Sequence, residues 1–446
     1  MTTPYLPLSA SVAEAARDAM AQLCVPGVAV GVLHGGRFYA EGFGVTNVDH
    51  PLPVTPETLF QIGSTSKTFT ATAAMQLVEE GRLDLAAPVR RYLPEFRLES
   101  EPDAARLTVR HLITHHGGWQ GDYFRDTGRG DDAIARIVAK MARSPQIVPA
   151  GEAFSYNNAG FYVLGRIIEV LRGAPFEQVI RERILGPLGM THSYYFPEEA
   201  MVHRVAAGHT VEAAGPVVVR PWAVSRSIAP GGGQISDVLD QLRYAAFHLG
   251  DGVAPDGTRL LGAETLRAMQ KPHAPAGSMC DEIGASWMLS GGPGRRKVAH
   301  GGATNGHLAA FELYPEHGYA CTVLTNSFSG RGARQSLTEA CQRAFLSFAS
   351  DEPATFVGSD DDALVGAYQA RLHGLTVFQD GQSLVVRQIE AQRDHAAAEE
   401  AFRLRAIAPR RWWVTDGSRR GETCELVEVD GRRFLRWDGR LAARLA

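Results

Sequence analysis

The chain has 446 residues, 45% of them hydrophobic and 21% charged, which is the make-up of a globular protein with room for two domains. A net charge of −4 excludes the broad basic surface of a nucleic-acid partner. Five scattered cysteines without a Cys-x-x-Cys, and no leader-like or ~18-residue apolar stretch, predict a cytoplasmic protein with no disulfide framework, metal, cofactor or membrane partner.

Helical spacing runs over residues 9 to 22. An apolar strand over 25 to 33, a His34-Gly35-Gly36-Arg37 turn and a returning strand over 38 to 45 make a hairpin. The next stretch, Gln61 to Ala71, organises the chain. Apolar Thr58-Leu59-Phe60 precedes it, Gly63 permits a sharp turn, and a helix is predicted over 68 to 80 with Phe69, Ala73, Met75, Leu77 and Val78 on its buried side. Ser64 then stands at a helix N-terminus with Lys67 one turn later, on one face. A hydroxyl and an amine held side by side are the parts of an activated nucleophile.

Short helices follow over 107 to 114 and 131 to 141, and a turn at Pro149 to Glu152 leads into Tyr156-Asn157-Asn158 before a helix over 161 to 171. Residues 197 to 230 read as a long irregular loop, and Ser236 as the N-cap of a helix ending at Leu249. Strands are predicted over 297 to 302, 307 to 314 and 319 to 325, with a helix over 331 to 349 packed on them. Two early strands, an all-helical middle and three late strands describe one α/β domain, residues 1–350, whose sheet is built from both ends. An acidic junction (Ser350-Asp-Glu-Pro, Ser359-Asp-Asp-Asp) separates it from residues 356–446. There, six β-favouring runs and four Asp-Gly turns predict a small all-β module, of barrel type, close to the cleft.

Ser64-x-x-Lys67, Tyr156-x-Asn158 and His300-Gly301-Gly302 stand in the order and rough spacing of three active-site motifs. Each has a plain structural explanation alone: a helix cap, a core tyrosine, a sheet histidine. Together they resemble the serine β-lactamase and penicillin-binding-protein superfamily. Over residues 10 to 350 the chain is similar to the branch holding class C β-lactamases, family VIII esterases, D-amino-acid peptidases and penicillin-binding-protein-type thioesterases. The runs 107–115 and 231–236 belong to the same resemblance.

The resemblance implies an antiparallel sheet with a helical subdomain. It also implies an acyl-enzyme at Ser64, with Lys67 receiving the Ser64 proton if burial and nearby charge lower its pKa. Tyr156 relays that proton, and Asn158 holds Lys67 and the substrate. The Ser64 and Ala303 N–H groups form the oxyanion hole. Gly301, Gly302 and Gly232 fall beside the substrate. His300 departs from the Lys-Thr-Gly of classical β-lactamases and supplies positive charge only when protonated. His115 and His116 are expected in a loop beside the cleft, as substrate contacts at most. Trp119, Tyr123 and Trp222 are expected in the acyl pocket or the core.

The expected activity is hydrolysis of esters or amides in a small molecule or peptide. The alternatives are acyl transfer or peptide cyclisation, and non-catalytic binding. The oligomeric state stays open.

Overall fold

The computed structural model describes residues 5–349, 352–358, 361–390 and 399–445. Helix α1 (Ala10–Leu23) starts at Ser9, whose side chain accepts from the Val12 N–H. It buries Val12, Ala16 and Ala19 against strand β1 (Gly27–His34) and helix α5 (Gly330–Leu346). Strand β2 (Arg37–Gly44) returns through Gly35 and Gly36, both at left-handed φ. Strand β1 is buried on both faces, because Val28, Val30 and Val32 meet α1 and α5 while Ala29 and Leu33 face the other core.

The late strands are β3 (Ala274–Pro275), β4 (Glu282–Ile283), β5 (Met288–Ser290), β6 (Lys297–Ala299), β7 (Gly302–Ala303), β8 (Leu308–Tyr314) and β9 (Tyr319–Thr325). They join the early hairpin in one sheet of order β2-β1-β9-β8-β6-β5-β4-β3, with β7 also on β8. The β1–β9 pairing, Val28↔Thr325 through Leu33↔Ala320, closes the sheet from both ends of the domain as expected.

Helix α2 (Ser66–Glu79) is buried from Ser66 to Leu77 on every side. The one-sided burial expected of it fails because α2 is a central helix, surrounded by α3 (Asn158–Arg172), by the Ala229–Gly232 turn and by Tyr244 of α4 (Val238–Leu249). Its threonines are satisfied internally: Thr70 donates to Pro230 O (2.7 Å), and Thr72 shares a hydrogen bond with Tyr244 (2.8 Å).

Two other expectations are corrected. Residues 197 to 230 hold a hairpin (His209–Glu212 with Gly215–Val218) and two helical turns, so the segment is not simply irregular. The β-branched run Val217-Val218-Val219 finds its partner in the short Gly208-His209-Thr210. Asp237, not Ser236, caps α4, accepting from the Asp240 N–H at 2.8 Å. Ser236 is extended, paired with Phe60, and its hydroxyl meets Ser193.

The C-terminal module is a closed eight-stranded antiparallel barrel. Its strands are β10 (Gly366–Gln369), β11 (His373–Asp380), β12 (Ser383–Glu390), β13 (Glu399–Ala408), β14 (Arg411–Val414), β15 (Thr423–Val429), β16 (Arg432–Trp437) and β17 (Arg440–Arg444). Two strands, β10 and β17, exceed the six predicted; both are short of β-branched residues, and they close the barrel at Tyr368↔Arg444 and Gln369↔Ala443. Trp412 and Trp437 lie in its core, their indoles donating to Asp361 and Gln388. The predicted acidic junction falls partly outside the described residues, at 350, 351, 359 and 360. Among the described residues, no helix is long and apolar enough to cross a membrane.

Candidate active site

The turn Gly63–Thr65 delivers Ser64 just ahead of α2. Gly63 has φ +52°, and a Cβ there would sit 2.6 Å from Ala303 N. A Cβ on Gly302 would lie 3.0 Å from Ser64 N. Two glycines thus bring the Ser64 and Ala303 amides side by side, the arrangement an oxyanion hole requires. Ser64 is half-buried and Ala303 exposed, so both are within reach of a ligand.

Lys67 is 0% exposed, one turn into α2. Its Nζ lies 2.9 Å from Ser64 Oγ and donates to Gly231 O at 2.5 Å. Burial, and then the positive charge of Arg440, hold its pKa well below the ordinary lysine value, against an opposing pull from Asp122. An amine in this state can take a proton from Ser64. Tyr156, also buried, hydrogen-bonds Ser64; burial pushes its phenol up, while the Ser64 bond and Arg440 pull it down. Lys67 Nζ lies 5.1 Å from the Tyr156 ring centroid.

Asn158 does not go where it was expected. Asn157 caps α3 by accepting from the Gly160 N–H, so Asn158 opens the helix. Its amide donates to Asp122 Oδ1 at 2.9 Å, while Lys67 bonds Ser64 and Gly231. Gly231 packs tightly, since a Cβ there would meet the Tyr162 ring at 2.6 Å. Gly232 has only an ordinary contact, with Gly63.

His300 is 1% exposed, its Nδ1–H donating to Gly301 O at 2.7 Å and its Nε2 buried without a partner among the described residues. Burial and the neighbouring Lys67 push its pKa down to about 3, so the ring is neutral near pH 7. His115, not His116, borders the site: it stacks on Tyr156 (4.3 Å, 24°) and takes the Asn157 N–H at 3.0 Å on Nδ1. His116 turns away, bonded to Thr114 O and edge-on to Phe154, with its pKa lowered to about 4 by burial. Trp119 and Tyr123 are core residues, and Trp119 also edges the space beside Tyr156. Trp222 is half-buried and donates to Ala206 O.

Sequence reasoning missed Arg440. The barrel turn Asp438-Gly439 reaches into the first domain, where the Tyr156 N–H donates to Gly439 O (2.8 Å) and the Leu441 N–H to Ser155 Oγ (3.3 Å). Arg440 follows. Its guanidinium pairs with both oxygens of Asp122 (2.9 and 3.2 Å), which is 3% exposed, and sits 5.0 Å from the Tyr156 ring. The only sequence signal was the Asp-Gly turn before it.

A serine beside a buried amine, a tyrosine, and two adjacent N–H groups are the parts that acyl transfer through a serine requires. The chain belongs to the beta-lactamase family, whose model matches residues 12–342. It is 37% identical over 308 residues to penicillin-binding protein 4 of Amycolatopsis lactamdurans, covering 68% of this chain and 81% of that one. Among solved structures it is similar to SurE, solved alone (26% identity, TM-score 0.73, 98% of both chains) and with D-Leu (25% identity, TM-score 0.73). The class C beta-lactamase of Rhodobacter sphaeroides matches with 25% identity and a TM-score of 0.63, over 76% of this chain and all of that one. The SurE likeness extends through the barrel; the class C likeness leaves a quarter of this chain uncovered.

Proposed function

We propose that the protein is a serine hydrolase that forms an acyl-enzyme at Ser64 and hydrolyses esters or amides, including D-configured ones. The observation that carries this is the 2.9 Å approach of Ser64 Oγ to a buried amine with a lowered pKa. In the reaction, Ser64 Oγ bonds to the carbonyl carbon as its proton passes to Lys67 Nζ. The carbonyl electron pair moves onto oxygen, facing the Ser64 and Ala303 N–H groups. Collapse expels the leaving group, which takes a proton through Tyr156, and water repeats the cycle to free Ser64. Neutral His300 offers no charge to a β-lactam carboxylate, which supports esters and amides over penicillins and cephalosporins. The likeness to SurE with D-Leu supports a D-configured residue beside the scissile bond.

A second reading has a specific observation behind it. The barrel covers Tyr156 with Gly439 and Leu441, and a site shielded from water suits transfer of the acyl group to an amine, including the substrate's own. A fluorophosphonate tests the common step: peptide mapping should place the adduct on Ser64, and Ser64→Ala should abolish both adduct and turnover. Adduct on another serine refutes the assignment. Product analysis with an added amine separates hydrolysis from transfer.

A further inference from the structure

A chain of alternating charges crosses twice between the barrel and the first domain. It starts at Arg331 in the first turn of α5, whose guanidinium pairs with Glu422 just ahead of β15. Glu422 also accepts from Arg419 Nη1 at 2.7 Å, and Arg419 lies 3.6 Å from Asp438. Asp438 accepts from Arg440 at 3.2 Å, and Arg440 closes on Asp122 of the first domain at 2.9 and 3.2 Å. Asp122 Oδ1 in turn holds the Asn158 amide at 2.9 Å. Three arginines and three carboxylates alternate, and the chain ends beside the nucleophile.

Arg440 engages all three of its nitrogens in this chain. Nε and Nη2 serve Asp122, while Nη1 donates to the carbonyl (2.8 Å) and the carboxylate of Asp438. A guanidinium is planar, so anchors on two edges fix its plane as well as its place over the Tyr156 ring. Asp438 is held in its turn. It forms with Gly439 the two-residue loop joining β16 to β17, both at left-handed φ (48° and 72°), and Arg419 braces it while lying over the Trp437 ring. The loop does not need the charge. Asp430-Gly431 joins β15 to β16 with φ of 49° and 70°, and that aspartate is exposed. Burial pushes the Asp438 carboxyl up, but Arg419, Arg440 and Arg331 more than reverse this and hold it well below the usual carboxylate range. The other titratable groups facing Arg440 are Lys67, Tyr156 and His373 of β11, whose pKa burial lowers to about 4.

We propose, resting on the acyl-enzyme reading above, that Asp438 is a positioning residue for that reaction: braced by Arg419, Glu422 and Arg331, it keeps the Arg440 guanidinium over Tyr156, where its charge reaches Lys67. Asp438 acts through Arg440 alone. The brace runs back to α5, so the fixed charge beside the nucleophile depends on how the barrel sits on that helix.

The test is a double-mutant cycle with a p-nitrophenyl ester. D438N suits it, because Asn-Gly makes the same turn. In the wild-type background D438N should lower kcat at least tenfold with KM changed less than threefold, the scale of a misplaced catalytic environment. It should also move the acid limb of kcat/KM up, as a displaced positive charge requires. In the R440Q/D122N background no guanidinium remains to be placed, and the same substitution should cost less than twofold. R419Q, the next link, is scored likewise and stands in if circular dichroism shows D438N unfolded. A loss below tenfold in the wild type, a loss carried by KM, or one of twofold or more without Arg440 leaves Asp438 a turn residue and overturns the proposal. Fluorophosphonate labelling separates the failures. A labelled Ser64 with additive losses overturns only the positioning role, and an unlabelled Ser64 overturns the hydrolase reading and the role with it.

Discussion

Arg440→Gln should move the acid limb of the kcat/KM profile to higher pH, through Lys67. The amine works only when neutral, and the positive charge of Arg440 is the second cause, after burial, that keeps its proton off. Lys67 Nζ and the Arg440 guanidinium lie 5.1 and 5.0 Å from the same ring centroid, so they are no more than about 10 Å apart. At an effective dielectric of ~20, two like charges at ~10 Å repel by about 1.7 kcal/mol, equivalent to about one pH unit. Removing Arg440 relieves that repulsion and also unmasks Asp122, which pulls the Lys67 pKa the same way. Both effects raise the pKa, so the active fraction at a given pH falls. Asp122→Asn in the same chain should return the limb part of the way. It should also recover stability, because Arg440→Gln alone leaves a 3%-exposed carboxylate without its bidentate partner, a loss of about 3–5 kcal/mol. The assay is a p-nitrophenyl ester followed across pH, with thermal melts of both variants. A limb that stays in place or moves down in Arg440→Gln, or a double variant no better than the single, refutes this coupling.

Lys67→Ala and Tyr156→Phe should each lower turnover by about 10² or more, the usual scale of general acid–base catalysis; the double variant should be little worse than either, and multiplicative losses would show that the two act separately. Because the pKa of His300 is pushed to about 3, it stays neutral from pH 5 to 8. The kcat/KM ratio of a chromogenic cephalosporin to its neutral methyl ester should therefore be flat over that range; a tenfold rise towards pH 5 would mean that His300 gains a proton and binds the carboxylate. Truncation near residue 350 should give an inactive protein with a lowered melting temperature, because it removes Arg440 and strips Phe434 and Leu441 from Val148 and Ala153. Wild-type kinetics after truncation would refute any role of the barrel in the site.

The parts of the site legible in the sequence are those whose contacts are local or set by turn chemistry. Lys67 follows Ser64 by one helical turn, so the pair reads off α2 directly. Gly63 marks the turn before Ser64, while the place of Ala303 came from the family resemblance and its close approach to Ser64 from the structure. The sheet was legible because β1 and β9 are largely apolar, β-favouring runs, buried on both faces. What escaped the reading depends on partners far along the chain. The family resemblance implies a lysine-holding role for Asn158, yet its amide goes to Asp122, an acid that no motif marks. His115 and His116 are adjacent and alike in sequence, yet His115, at a positive φ (60°), stacks on Tyr156 while His116 bonds Thr114 O. The barrel's closing strands escaped because pairing, not side-chain propensity, makes β10 and β17 strands. Arg440 is the extreme case: one of 41 arginines, it acquires meaning only when the β16–β17 turn docks on Tyr156, 284 positions away in the chain. At position 300 the buried histidine offers no lysine-like charge, but position 300 is not the whole of the site. Positive charge is present beside Tyr156, but it arrives from the barrel, fixed by Asp122 and permanent at all working pH values. The barrel contributes a charge to the amine's environment and a backbone carbonyl to Tyr156, and a first domain separated from it lacks both.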